Sequence, residues 1–109
     1  MTRKITITNK IDEIANRPWY PLDVVRYNDQ VVRIAFFKGE YKWHKHDYED
    51  ELFLVVEGKI KIKLKDSPDL VLMQGEIGVI PKGIEHCPTS EGAYVLMFEP
   101  ATLDSKGDN

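Results

Sequence analysis

Residues 60–65 alternate without a break: Ile60, Ile62 and Leu64 on one parity, Lys61, Lys63 and Lys65 on the other. A period of two belongs to a strand with one buried and one wet face, and an α-helix cannot satisfy it. The lysines read as the solvated face of that strand. Similar short apolar runs recur after Pro18, at residues 24–27, 31–37, 52–56, 70–73, 77–80 and 94–98. The first two flank Asn28-Asp29, a tight-turn pair. Gly39, Gly58, Gly75, Gly83 and Gly92 punctuate the series where positive φ is cheapest. Many short strands separated by turn signals predict an all-β sandwich or barrel.

A single helix is expected, near the start. Asn9 is placed to cap it, Ile11, Ile14 and Ala15 share a face, and Pro18 ends it at Arg17. The chain has 109 residues, 42% hydrophobic and 30% charged, enough for one core. The domain is expected to occupy residues 1–104, with a polar, flexible tail at 105–109. Fifteen basic against eighteen acidic residues give a net charge of −3. That balance argues against nucleic acid and against anionic lipid as partners. No apolar run is long enough to span a membrane, and the first ten residues lack a signal-peptide core. The one cysteine, Cys87, excludes an internal disulfide. Together these point to a cytoplasmic location.

The chemistry rests on three histidines. His44 and His46 are two apart, so in an extended segment they face the same way. Two imidazoles aimed into one pocket begin a metal site, since neutral imidazole suits Zn, Cu, Fe and Ni. Asp47, Glu49, Asp50 and Glu51 follow at once, and any of them can add a carboxylate after a turn. His86, just past Pro81-Lys82-Gly83, can close the set from another strand.

The spacing of the whole set resembles both signature motifs of the cupin superfamily, in order. Gly39, the pair His44 and His46, Glu51 and Gly58 make the first; Gly75, Pro81, Gly83 and His86 make the second. The resemblance implies a double-stranded β-helix, the jelly-roll barrel of a small single-domain metal-binding cupin, here with a short N-terminal helix. It also selects among the acids. The family's carboxylate ligand stands where Glu51 does, so the implied ligands are His44, His46, Glu51 and His86, holding one divalent ion (Fe, Mn, Ni or Zn). Asp47, Glu49 and Asp50 then fall back to a solvated acidic turn. Two positions depart from the pattern: the gap from Gly39 to His44 is one residue short, and Ser90 stands where asparagine is usual. Neither is a ligand.

Three imidazoles and one carboxylate leave a divalent ion with open positions. In a cup walled by Phe53, Val55 and Ile80, such an ion binds and polarises small oxygen-bearing molecules. The resemblance permits dioxygenases, isomerases, lyases, decarboxylases and non-catalytic binding or sensing modules. No general acid or base identifies itself; Tyr27, Arg33, Tyr41 and Glu99 are polar residues on or near strands without an assigned place. Cys87 is expected to point away from His86 as an inert thiol. Trp19, Tyr20, Tyr41 and Trp43 read as packing residues, with Trp43 turned away from the metal. The run 52–56 is apolar on both faces. With Glu51 aimed at the metal, Phe53 and Val55 go inward and Leu52, Leu54 and Val56 face out. Either the first helix covers that outer face or a second copy does, and a homodimer is expected.

Overall fold

The computed structural model describes residues 2–103, and the tail expected at 105–109 lies outside them. In chain order the elements are α1 (Ile7–Ile14), β1 (Leu22–Tyr27), β2 (Gln30–Glu40), β3 (Glu51–Glu57), β4 (Lys59–Leu64), β5 (Ser67–Met73), β6 (Ile77–Ile80) and β7 (His86–Pro100). Every strand pair is antiparallel, along β1-β2-β7-β3-β6, with β4 joined to β5 and β7. This is the expected jelly roll. Asn28-Asp29 form the two-residue link of the β1–β2 hairpin, with Tyr27 opposite Gln30.

The last strand is longer than the apolar run 94–98 announces. It covers fifteen residues because it serves two neighbours in turn. Along one edge it pairs first with β4, from Leu64↔His86 to Ile60↔Ser90, and then with β3, from Glu57↔Tyr94 to Leu52↔Phe98, while β2 follows the other edge from Glu40↔Thr89 to Gln30↔Pro100. The polar residues Thr89 and Ser90 are ladder residues, which apolar patterning does not reveal. The five glycines expected at positive φ all adopt it. At Gly58 the requirement is doubled. A Cβ there would lie 2.5 Å from the Gly92 carbonyl oxygen, so only glycine lets β3 turn into β4 against β7. Ser90 bonds through Oγ to the Lys59 carbonyl at 2.6 Å and accepts from the Gly92 amide at 3.0 Å, which ties the same corner.

The helix starts and stops earlier than the sequence pattern predicts. Its N-cap is Thr6, without a side-chain cap bond, and Asn9 sits inside the first turn. The cause is packing: Ile7, Ile11 and Ile14 recur at helical spacing and cover one apolar cluster, so the first turn is pulled in from Ile7. The C-terminus falls at Ile14, before Arg17. Ala15 and Asn16 adopt left-handed φ, and the Arg17 side chain donates to the carbonyls of Ile14 and Glu13 at 2.9 Å each. Asn16 then clasps the Tyr94 hydroxyl, accepting at 2.7 Å and donating its amide at 3.0 Å.

Two apolar clusters result. The inner one holds Phe37, Phe53, Val55, Ile60, Ile62, Leu72, Ile80 and Val95. The outer one, under α1, holds Ile14, Val24, Val32, Ile34, Tyr94 and Leu96, with Leu54 and Val56 packed against it. Each fully buried large side chain contributes about 1.5–3 kcal/mol. Parity in β3 is as expected: Phe53 and Val55 face in, Leu54 and Val56 out. Part of the outer face is thus covered by the chain's own helix. Ile77 and Val79 on the edge strand β6, opposite Leu54 and Leu52, stay 59% and 49% exposed.

Candidate metal centre

The two motif segments are stitched to each other by backbone. His44 and His86 form an isolated bridge, each amide donating to the other's carbonyl, at 3.0 and 2.9 Å. Their rings consequently lie 4.3 Å apart. The Gly83 amide donates to the His46 carbonyl at 2.8 Å, and the Lys82 amide to Asp50 Oδ1 at 2.9 Å. Asp50 therefore has a task that spacing alone does not show: it fixes the Pro81-Lys82-Gly83 turn beside the start of β3. Asp47 is exposed, pairs with Lys45 at 3.0 Å, and stays on the wet side as expected.

Glu51, the first residue of β3, points inward between the histidines. One ligand atom each from His44, Glu51 and His86 lie within 4.8 Å of one another, all from buried residues. His46 falls outside that radius, but its Nε2 is 3.2 Å from Glu51 Oε1, against 3.8 Å for His86 Nε2. All four residues are 3% exposed or less.

The imidazoles are oriented. His44 Nδ1 is 3.0 Å from the Lys42 carbonyl and His86 Nδ1 is 2.9 Å from the Ile84 carbonyl. A carbonyl oxygen only accepts, so Nδ1 carries the hydrogen and Nε2 presents its lone pair inward. Burial pushes the His44 pKa down, against the Lys42 bond that raises it, and so favours the neutral, ligating form. Burial alone would raise Glu51, but the neighbouring imidazoles of His46 and His86 outweigh it and hold the carboxyl at about 2. Apart from contacts within this ionisable cluster, His86 Nε2 and Glu51 Oε2 have no hydrogen-bond partner among the described residues. Buried lone pairs without partners are costly, and a cation between them removes that cost. The donor set and its orphaned atoms fit a divalent metal ion.

A cavity of about 30 Å³ adjoins His44 and Glu51, walled by Trp19, Pro21, Ala35, Phe37, Tyr41, Phe53, Pro88 and Met97. Trp19 and Tyr41 read from the sequence as packing residues. They do pack, with Trp19 ring centroids 4.6 Å from Phe37 and 4.8 Å from Tyr41, and they also line the cavity beside the candidate ligands. What puts Trp19 there is the Trp19 amide bond to the Phe36 carbonyl, 2.8 Å, which docks the segment after α1 on β2. Trp43 is half exposed and turned away, as expected. Cys87 is fully buried, its Sγ 3.4 Å from the Tyr41 carbonyl, and burial raises its pKa, so the thiol is inert.

Glu99 and Arg33 are the residues that sequence patterning leaves without a place. Arg33 Nη1 donates to Glu99 Oε1 at 2.7 Å. Burial and then the neighbouring Glu51 charge push the Glu99 pKa up to about 8, against the pull of Arg33. The available signal is parity. Glu99 shares the inward face of Ala93, Val95 and Met97, and Arg33 that of Ala35 and Phe37, where a charge is out of place.

Known proteins agree with this architecture. The chain is 40% identical over 87 residues to the "uncharacterized protein YdbB" of Bacillus subtilis (strain 168), covering 79% of this chain and 73% of that one. A crystal structure of a cupin-2 domain containing protein from Shewanella frigidimarina NCIMB 400 superposes with a TM-score of 0.83 at 35% identity. That match covers 88% of this chain and 93% of the other. Protein NMB1881 from Neisseria meningitidis gives 0.83 at 26%, over 90% and 99%. The Cupin domain family profile matches residues 33–99, which hold all four candidate ligands and the strands that carry them. By its barrel, its paired motifs and this match, the chain belongs to the cupin family.

Proposed function

We propose that this cupin holds one divalent metal ion on His44, His46, Glu51 and His86, and uses it to bind or transform a small oxygen-bearing organic molecule. The observation that carries the reading is the convergence of buried ligand atoms with the Nδ1 hydrogens of His44 and His86 already committed outward. When bound, the ion supplies a Lewis-acidic position for a ligand oxygen. The chain's own residues do the rest. Carbonyls of Lys42 and Ile84 fix the imidazole tautomers. Trp19, Phe37 and Phe53 exclude water and favour an apolar ligand body.

A second reading, a binding or sensing module without turnover, has one observation in its favour. Beyond His44 and Glu51, the cavity wall offers a single hydroxyl-bearing side chain, Tyr41, and no further charged group. An enzyme needs a positioned acid or base besides the ligands. Release of a chemically altered product by metal-loaded protein decides for the enzyme.

The metal reading is tested by metal content after dialysis against a limiting chelator. His46→Ala and His86→Ala lose the ion, and Glu49→Ala keeps it. Full retention by both histidine variants would remove the basis of the proposal.

The homodimer and the cytoplasmic location belong to the same proposal. For the dimer, the support is the exposed Ile77 and Val79 beside Leu52 on the outer face. Leu54 is a poor probe of that face, because it packs on the chain's own outer cluster. Val79→Lys is the better one. Light scattering is expected to give twice the chain mass for the wild type and a monomer for the variant. A wild-type monomer at micromolar concentration would refute the dimer. For the location, the support is a lone, buried, unpaired cysteine.

A further inference from the structure

The cavity beside His44 and Glu51 holds about 30 Å³, close to one water molecule's share of the liquid, whereas pockets that take up organic molecules run to ~300–1,000 Å³. What reaches the candidate ligands is therefore limited by the wall, and most of the wall is fixed. Ala35, Phe37, Phe53 and Met97 stand on β2, β3 and β7 within the strand ladders, and none is more than 4% exposed.

Trp19 differs in each respect. It lies in the segment between α1 and β1, where Arg17, Pro18 and Tyr20 are exposed, and it is itself only partly buried. Its φ is +58°, a left-handed conformation that a bulky L-residue holds only where its surroundings impose it. The amide bond to the Phe36 carbonyl, 2.8 Å, and the Pro18↔Phe36 bridge impose it. The indole is thereby laid along the cavity, its ring centroid 4.6 Å from Phe37 and 4.8 Å from Tyr41. Tyr41 in turn stands edge-on to His44 at 5.4 Å, so one ring separates the indole from a candidate ligand. Trp19 and Pro21 both precede residue 33, where the family profile begins to match, so this side of the cavity lies outside the shared pattern.

We propose that Trp19 is a specificity-determining residue. Its indole fills the room that the body of a ligand needs, and so sets the size limit for molecules that reach the metal ion. With the indole in place the site takes oxygen ligands of a few non-hydrogen atoms, such as a short carboxylate, and excludes ring-sized ones. The inference rests on the metal reading above and deepens it by naming the size class of the ligand. A single misfit methylene in an apolar pocket already shifts discrimination by roughly 10- to 200-fold.

The test is a titration of the Co²⁺-loaded full chain with acetate and with benzoate, followed by the visible ligand-field spectrum. Trp19→Gly removes the indole and leaves the positive φ to the residue that adopts it without strain. It is expected to bind benzoate at least about tenfold more tightly than the wild type does, with acetate within a few-fold. Tyr20→Ala disturbs the same segment without touching the cavity wall, because the Tyr20 ring carries the Arg17 guanidinium, 4.0 Å from its centroid. That variant is expected to keep the wild-type affinities. If Trp19→Gly does not fold, Trp19→Leu keeps an apolar contact with Phe37 and is expected to shift benzoate in the same direction by less. Unchanged benzoate affinity in the Trp19 variants would overturn the size limit, as would an equal gain for acetate or the same gain in Tyr20→Ala. Failure of the metal reading looks different: the wild type itself then binds no Co²⁺, or His86→Ala binds it as tightly, and the size limit falls with it.

Discussion

The inward face of the barrel has two halves that follow opposite rules. In one, Val55, Ile60, Ile62, Leu72, Ile80 and Val95 are no more than 4% exposed and carry no polar side-chain atom. In the other, His44, His46, Glu51, His86 and Glu99 are no more than 3% exposed and every one of them is polar. The same strands build both: β3 presents Glu51, then Phe53 and Val55; β7 presents Val95 and Met97, then Glu99. Strand periodicity decides which residues are buried, and residue type decides what the burial does. The apolar half holds the fold together. The polar half carries desolvation costs that the Lys42 and Ile84 carbonyls and the Arg33 pair relieve in part.

The comparison is sharpened most by cutting into the apolar half. Ile62→Ala is expected to cost about 2–5 kcal/mol in urea unfolding, by the same amount with and without metal. A cost that shrinks when metal is present would show that the two halves are not separate.

His86→Ala cuts the other half. At a metal concentration 100 times its dissociation constant, the wild type gains about 2.7 kcal/mol. The variant is expected to lose that gain and to change less than Ile62→Ala in the metal-free state. Retained metal-dependent stabilisation would break the comparison.

The smallest effect is on pH dependence in the metal-free protein. The Glu99 pKa is raised from 4.5 to about 8, so its contribution is full below about 4.5 and is lost as pH rises through about 8. Glu51 has the opposite sign: lowered to about 2, it contributes above 4.5 and is lost as pH falls through about 2. Below about 6.5 the lowered His44 pKa acts in the opposite sense, so the melting temperature is expected to fall between about pH 6.5 and about pH 8, and Glu99→Gln to flatten that slope. A wild-type melting temperature that is level across this window contradicts the assignment.

Much of the fold and of the candidate site is legible in the sequence. Alternation marks the strands, and the spacing of His44, His46, Glu51 and His86 points to the jelly roll and the candidate ligands. Patterns within one segment carry that far. Glu51 and Glu99 lie on strands distant in sequence, and only the β3–β7 register brings them together. Trp19 reaches the cavity through one backbone bond to Phe36, and no spacing rule encodes it. The boundaries of α1 escape the pattern for a similar reason: Ile7 joins the helix because of what it packs on, and Asn9 has no capping work to do there.

Elemental analysis of the wild-type chain, purified without a histidine tag, tests the central claim most directly. The account predicts one equivalent of a divalent transition metal per chain, as isolated or after incubation with Fe²⁺, Mn²⁺, Ni²⁺ or Zn²⁺ and desalting. A folded chain that retains none of them after such incubation would contradict it.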